Sequence, residues 1–196
     1  MPQVIISVGR EFGSGGRVIA EELAKRFEIP IYDRHLITEI ASKTGLTPEE
    51  IEKYNENPKH RLLSRSVRGF SNSIEDNIAE MQFDFIRDKA KSGESFVVVG
   101  RCSESKLRDF PCLVSLFILG DRSEKIKRVM ELYELSEEKA KSFIDKKDRK
   151  RKRYHNYHCD GHWGDSRLYD LSINSSRLGI ERTIDQLEAY IRERMK

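Results

Sequence analysis

Short, β-branched apolar runs alternate along this chain with longer stretches whose apolar residues recur every three or four positions. Val4-Ile5-Ile6-Ser7-Val8 is followed directly by a glycine cluster and predicts a buried parallel strand. From Arg17 to Phe27 the apolar residues Ile19, Leu23 and Phe27 recur at helical spacing. Ile29-Pro30-Ile31-Tyr32-Asp33 reads as a second short strand, placed at an edge by its proline. His35 to about Lys91 reads as mostly helical, with breaks near Gly45 and Asn57-Pro58, and Thr47-Pro48-Glu49-Glu50 reads as a capped helix start. Phe96-Val97-Val98-Val99 and Leu113 to Leu119 are a third and fourth strand, ending in Gly100-Arg101 and Gly120-Asp121. A helix is expected from about Ser123 to Leu132, and another opens at Ser136-Glu137-Glu138-Lys139 and runs into a basic stretch. Tyr169 to Ile173 is a last strand, ending at Asn174-Ser175-Ser176, before an amphipathic helix carrying Ile180, Ile184, Leu187 and Ile191.

Such alternation predicts an α/β fold: a parallel sheet of about five strands covered by helices on both faces. Ligands of these sheets bind beyond the carboxyl ends of the strands. That rule gathers the segments beginning at Gly9, Asp33, Gly100, Gly120 and Asn174 around one crevice.

The totals narrow the function classes. The 196 residues fit one domain, with 37% apolar and 35% charged residues. A formal charge of +3 leaves no global nucleic-acid footprint, so any basic work is local. No apolar run approaches the ~20 residues that span a bilayer. The start, Met1-Pro2-Gln3-Val4, lacks a basic segment followed by an apolar one, and reads as the approach to a strand rather than a signal peptide. Cys102, Cys112 and Cys159, an odd set without CxxC spacing, suit a reducing cytoplasm better than a disulfide framework.

Gly9-Arg10-Glu11-Phe12-Gly13-Ser14-Gly15-Gly16-Arg17 lies between a predicted strand and a predicted helix. Glycines permit positive φ and close approach of N–H groups to an anion, and the helix N-terminus adds its unpaired donors. Phosphate binding by Gly13, Ser14, Gly15, Gly16 and Arg17 is the functional reading; a ligand-free tight turn is the other. Set on the pattern G-x-x-x-x-G-K-[ST], the segment has Arg10 at the first glycine, Gly16 at the lysine and Arg17 at the hydroxyl residue, with Val18 next.

Lys146 to Arg153 holds a dense basic run around the single acid Asp148. It reads as a phosphate clamp, with Arg149, Arg151 and Arg153 neutralising charge during transfer, as a patch for nucleic acid or an acidic partner, or as a solvated helix face. Its position before a glycine- and aromatic-containing loop favours a hinged lid. Within that loop the spacing H-x-x-H-C-x-x-H over His155, His158, Cys159 and His162 offers zinc-type ligands without paired zinc-finger spacing, so no metal is assigned; Tyr157 and Trp163 read as packing residues. Arg101, directly after a buried strand, needs an anion: a substrate phosphate or an internal carboxylate. Asp33 either binds substrate or hydrated Mg²⁺, or caps a helix beginning at Arg34. Cys102 reads as packing.

These segments together resemble the cytidylate-kinase-like family. The resemblance runs through Ile6-Ser7 to Gly13-Ser14-Gly15-Gly16-Arg17, Ile31-Tyr32-Asp33, Val99-Gly100-Arg101-Cys102, Trp163-Gly164-Asp165, Tyr169-Asp170-Leu171 and Asn174 to Ile180. It covers nearly the whole chain in order. It implies a three-layer α/β/α P-loop fold, with a core (1–33, 93–143 and 167–196), a helical monophosphate-binding insertion (about 34–92) and a lid (about 144–166). It also implies transfer from ATP, with Mg²⁺, to a nucleoside monophosphate such as CMP. Arg17, Arg149, Arg151 and Arg153 are then the catalytic cations, and Asp33, Arg34 and Arg101 hold the acceptor. Gly16 stands where authentic cytidylate kinases have lysine, Arg34 where a small hydroxyl residue follows Asp33, and Lys150 where their lid has an aspartate, so a different phosphorylated acceptor stays open. A nucleotide-binding regulator with the same fold is the alternative, and RNA binding through 146–153 a weaker third.

Overall fold

The computed structural model describes residues 2–33, 66–67, 70–71 and 74–196. Its elements in chain order are β1 (Ile5–Arg10), α1 (Gly16–Arg26), β2 (Ile31–Tyr32), β3 (Ser66–Val67), β4 (Phe70–Ser71), α2 (Ile74–Lys91), β5 (Phe96–Val99), α3 (Ser103–Lys106), β6 (Leu113–Leu119), α4 (Arg122–Tyr133), α5 (Glu137–His158), a 3-10 turn (Ser166–Leu168), β7 (Leu171–Asn174), α6 (Ser175–Leu178) and α7 (Ile180–Arg194).

Five strands form one parallel sheet in the order β2-β5-β1-β6-β7. β1 is central because it is apolar on both sides: Ile5, Ile6 and Val8 are fully buried. Alternation then sorts them by face. Ile6 and Val8 join Val97, Val99, Leu116 and Ile118 beneath α1 (Ile19, Leu23) and α7 (Ile184, Leu187, Ile191). Ile5, Phe96 and Val98 face α2 through Phe85, Ile86 and Ala90. The three-layer P-loop-type α/β/α reading therefore holds, and β2 is an edge strand as its proline predicts.

Two expectations need correction. The stretch from His35 to Lys91 is not uniformly helical: β3 and β4 pair antiparallel, Ser66 opposite Ser71 and Val67 opposite Phe70. Two strands of two residues each are a signal too short to outweigh the surrounding helical pattern. The capped start at Thr47 and the residue Arg34 lie outside the described residues. The helix opening at Ser136 does not stop at the basic run but carries through it as the 22-residue α5, so His155 and His158 are helical rather than in the expected loop and Cys159 is the C-terminal cap. Between Ser136 and Cys159 there is neither glycine nor proline to stop it. No described helix is long and apolar enough to cross a membrane.

Candidate functional site

The carboxyl ends of β1, β2 and β5 meet at a cavity of about 340 Å³. Its walls come from Arg10 to Gly13 and Gly15 to Val18 of the glycine loop and α1, Asp33 after β2, Arg101 after β5, Arg128, Val129, Leu132 and Tyr133 of α4, and Lys147, Lys150 and Arg151 of α5. Seven of these residues are basic (Arg10, Arg17, Arg101, Arg128, Lys147, Lys150 and Arg151) against two acidic ones, Glu11 and Asp33. The near-zero balance of the whole chain thus conceals a strongly positive concavity.

The loop's shape follows from its residue types. Gly13 and Gly15 take φ of 81° and 79°, where a side chain is strained. Gly15 caps α1 without a side chain of its own, and among the described residues only the Gly16 N–H of the first turn meets a side chain, the Ser14 hydroxyl at 3.4 Å. The remaining donors and the positive end of that helix are left for an anion. Ser14 differs from expectation. It is fully buried and outside the cavity wall, its hydroxyl donates to the Glu11 carbonyl at 2.9 Å, and its N–H faces the same carbonyl at 3.4 Å. Ser14 therefore braces the loop from within. Ser175 completes the brace by donating to the Ser14 carbonyl at 2.6 Å, which explains what Asn174-Ser175-Ser176 does at the end of β7.

Arg10 takes up the space that any side chain at position 16 would need. A Cβ placed on Gly16 would lie 2.6 Å from the Arg10 Cβ. The Arg10 side chain then runs across Gly100, whose φ of 75° and missing Cβ make room for the guanidinium. The residue aligned with the first glycine of the pattern and the glycine aligned with its lysine are thus two halves of one exchange. Arg101 and Cys102 continue the left-handed turn with φ of 61° and 54°, unusual for non-glycine residues. Arg101 is buried and borders the cavity. Arg17 reaches from α1 to Glu21 at 2.8 Å and Asp33 at 3.4 Å, contacts that hold its guanidinium charged, Glu21 first.

One face of α5 belongs to the site and the other does not. Lys147, Lys150 and Arg151 line the cavity, and Arg151 donates to the Arg10 carbonyl at 3.2 Å. Arg149 and Arg153 are exposed and absent from the walls, because two positions along a helix rotate a side chain by ~200°. Asp148 turns inward. Its carboxylate accepts from the Phe12 N–H at 2.6 Å and lies 3.6 Å from Lys125 Nζ, which also binds Glu11 at 2.9 Å. Burial pushes the Asp148 carboxyl up, although the Phe12 N–H and the Lys125 charge pull against it. Arg128 donates to the Gly13 carbonyl. Arg10, Glu11, Lys125 and Arg128 were not anticipated from the sequence. Lys125 and Arg128 sit on α4 at helical spacing like any surface charge, and only the fold turns them inward.

A second, smaller cavity of about 40 Å³ adjoins the first and shares Arg10, Arg101 and Arg151 with it. Tyr154, Trp163 and Tyr169 complete its aromatic side. Trp163 packs edge-on against Phe117, and His158 stacks on Phe83, Tyr154 and Tyr157. Burial pushes His158 down to about 4, which fits a neutral packing residue.

Comparison with known proteins agrees with this fold. A crystal structure of an uncharacterized protein from Eubacterium ventriosum ATCC 27560 is 39% identical, with a TM-score of 0.77 over 96% of this chain and 98% of that one. The shikimate kinase of Bacteroides thetaiotaomicron (14% identity, TM-score 0.54, 96% and 98% covered) and a sugar kinase from Janibacter sp. HTCC2649 (17%, 0.54, 97% and 95%) share the fold. Among proteins with curated descriptions none matches. The family and the fold support a phosphotransferase. The model of the Cytidylate kinase-like family matches residues 5–177, and the chain belongs to that family.

Proposed function

We propose that this protein transfers the γ-phosphoryl group of ATP, with Mg²⁺, to a nucleoside monophosphate of the CMP type or a similar small phosphorylated acceptor. One observation carries the reading: the glycine-capped start of α1 opens into a cavity with seven basic residues and two acidic ones. A volume of about 340 Å³ falls in the range of small-molecule sites, roughly 300–1,000 Å³.

In this reading the backbone from Gly13 to Val18 holds the donor phosphates, and Arg17, Lys147 and Lys150 neutralise them. Phosphoryl transfer asks the protein mainly for positioning and positive charge. Arg10, Arg101 and Arg151 stand between the two cavities, where they orient the transferring group and the acceptor phosphate. Asp33, and Arg34 beside it in sequence, complete the acceptor side. A phosphate acceptor is already ionised, so no side chain has to act as a strong base. Bound Mg²⁺ supplies charge neutralisation on the phosphates. It characteristically keeps several waters and takes one or two carboxylates, a demand Asp33 can meet although neither Arg17 nor Val18 brings a hydroxyl. Residues about 144–166 serve as a lid over a core of 1–33, 93–143 and 167–196, with about 34–92 as the acceptor-binding insertion.

The test is an acceptor screen with magnesium-ATP in an assay coupled to ADP. Turnover with one monophosphate and not others supports the reading and names the acceptor. ATP binding without ADP formation from any acceptor indicates the regulatory alternative.

A further inference from the structure

At the wall of the small cavity, which Cys102, Glu104 and His155 line, four groups that bind soft divalent cations converge from two segments distant in sequence. Cys102 ends the left-handed turn after β5, and Glu104 follows within α3. His155 and Cys159 are four residues apart at the end of α5, so both project from one helix face. The ligand atoms of Glu104, His155 and Cys159 all lie within 4.8 Å of one another, with His155 Nε2 2.7 Å from Glu104 Oε1. Cys159 packs against the cluster that holds the buried Cys102. Cys102, Glu104 and His155 are each no more than 4% exposed, and Ala79, Phe83 and Tyr154 pack around the sulfurs.

We propose that Cys102, Glu104, His155 and Cys159 form a tetrahedral site for a zinc-class divalent cation. Bonds of about 2.0–2.3 Å put neighbouring ligand atoms of such a site roughly 3–4 Å apart, so small side-chain adjustments bring Glu104, His155 and Cys159, already within 4.8 Å of one another, to coordination distance, and Cys102 is the adjoining thiol that would complete the set. The second shell is present as well. His155 Nδ1 lies 3.4 Å from Asn156 Oδ1, and that oxygen also accepts from the Trp163 N–H at 2.8 Å. An outer carbonyl oxygen of this kind fixes the tautomer and ring orientation of a metal-bound histidine. His158 and His162, which the H-x-x-H-C-x-x-H spacing suggests as partners, do not belong to the set; the spacing that matters is H-x-x-x-C, completed by C-x-E from the turn after β5.

The site has a structural consequence. Lys147, Arg151, His155 and Cys159 follow one another at intervals of four along one face of α5. A cation held by His155 and Cys159 and by the residues flanking Ser103 fixes this helix against the turn that carries Arg101, and so sets where Arg151 stands.

The experiment is metal analysis of the full-length chain, purified under reducing conditions without a metal-affinity step, stripped with chelator and titrated with Zn²⁺ or Co²⁺. The expected result is about one equivalent bound per chain, with a thiolate-to-cobalt charge-transfer band and the intense visible absorption of tetrahedral cobalt. Cys159→Ser and Glu104→Gln weaken cobalt binding by at least about tenfold, the scale of a lost ligand or outer contact. Cys112→Ser, which removes the cysteine bonded to Gln3, leaves it unchanged. Should a ligand variant fail to fold, the thermal midpoint of the wild type decides: it rises with stoichiometric Zn²⁺ if the site exists. A reduced, folded wild type that takes up neither ion, or a cobalt spectrum without the thiolate band, overturns the proposal.

Discussion

Asp148 accepts a hydrogen bond from the backbone N–H of Phe12 at 2.6 Å, joining the basic helix α5 to the glycine loop 136 residues earlier. Lys125, from α4, stands beside both partners, 2.9 Å from Glu11 and 3.6 Å from Asp148. The one acid within the basic run is therefore the residue that holds that run over the cavity.

This arrangement predicts a pH dependence. Burial raises the Asp148 carboxyl in the folded state, so the folded protein binds its proton more tightly than the unfolded chain does. Its contribution to stability is then present below the ordinary aspartate value of about 4 and is lost as pH rises through the raised one. Asp148→Asn keeps an oxygen for the Phe12 N–H and removes the titration. The wild type should lose stability relative to Asp148→Asn as pH rises from about 4 toward neutrality, read as the difference in urea midpoints across that range. A difference that grows in the wild type's favour contradicts the assignment.

Gly16 offers a second check. Restoring the lysine of the general pattern, Gly16→Lys, should not improve the protein, because its Cβ meets the Arg10 side chain 2.6 Å away. Overpacking of this kind costs about 1–3 kcal/mol. Arg10→Gly in the same chain should recover most of that loss, so the pair is non-additive. Thermal unfolding of the two single variants and the double variant measures the coupling.

Lys125 is predicted to matter for stability more than its helical position suggests. Its side chain is 8% exposed and faces two carboxylates. Lys125→Met leaves Glu11 and Asp148 without their shared cation, at a cost of about 1.5–3 kcal/mol in chemical denaturation. Lys127→Met, two residues on and exposed, should stay within about 0.5 kcal/mol.

Arg101 separates positioning from packing. Arg101→Lys keeps the charge but loses the planar fork, so ADP formation should fall by about 10²-fold with little change in thermal midpoint. Equal turnover in the variant would remove Arg101 from the acceptor site.

The fold was legible because it rests on apolar runs. Val4 to Val8, Phe96 to Val99 and Leu113 to Ile118 are buried on both faces, and a strand so placed shows an apolar signal that a lone serine (Ser7, Ser115) does not erase. The glycine loop was legible for a related reason: positive φ at Gly13 and Gly15 demands glycine. Arg151 could be read only as one of a run. Its neighbours Arg149 and Arg153 carry the same charge, and the distinction between them is rotational, set once α5 packs Ala140, Ile144 and Tyr154 inward. Glu104 and Cys102 gave no signal as partners of His155 and Cys159, since about fifty residues separate the two pairs and only the sheet edge brings them together.

The central claim is that the glycine loop and the inner face of α5 hold a nucleotide's phosphates together. Calorimetric titration of magnesium-ATP into the wild type, Arg151→Ala and Arg149→Ala tests it most directly. The account predicts binding by the wild type, affinity at least about tenfold weaker in Arg151→Ala, and affinity within about threefold of wild type in Arg149→Ala, whose charge lies on the exposed side. A folded wild type that binds no ATP, or equal losses in the two variants, contradicts it.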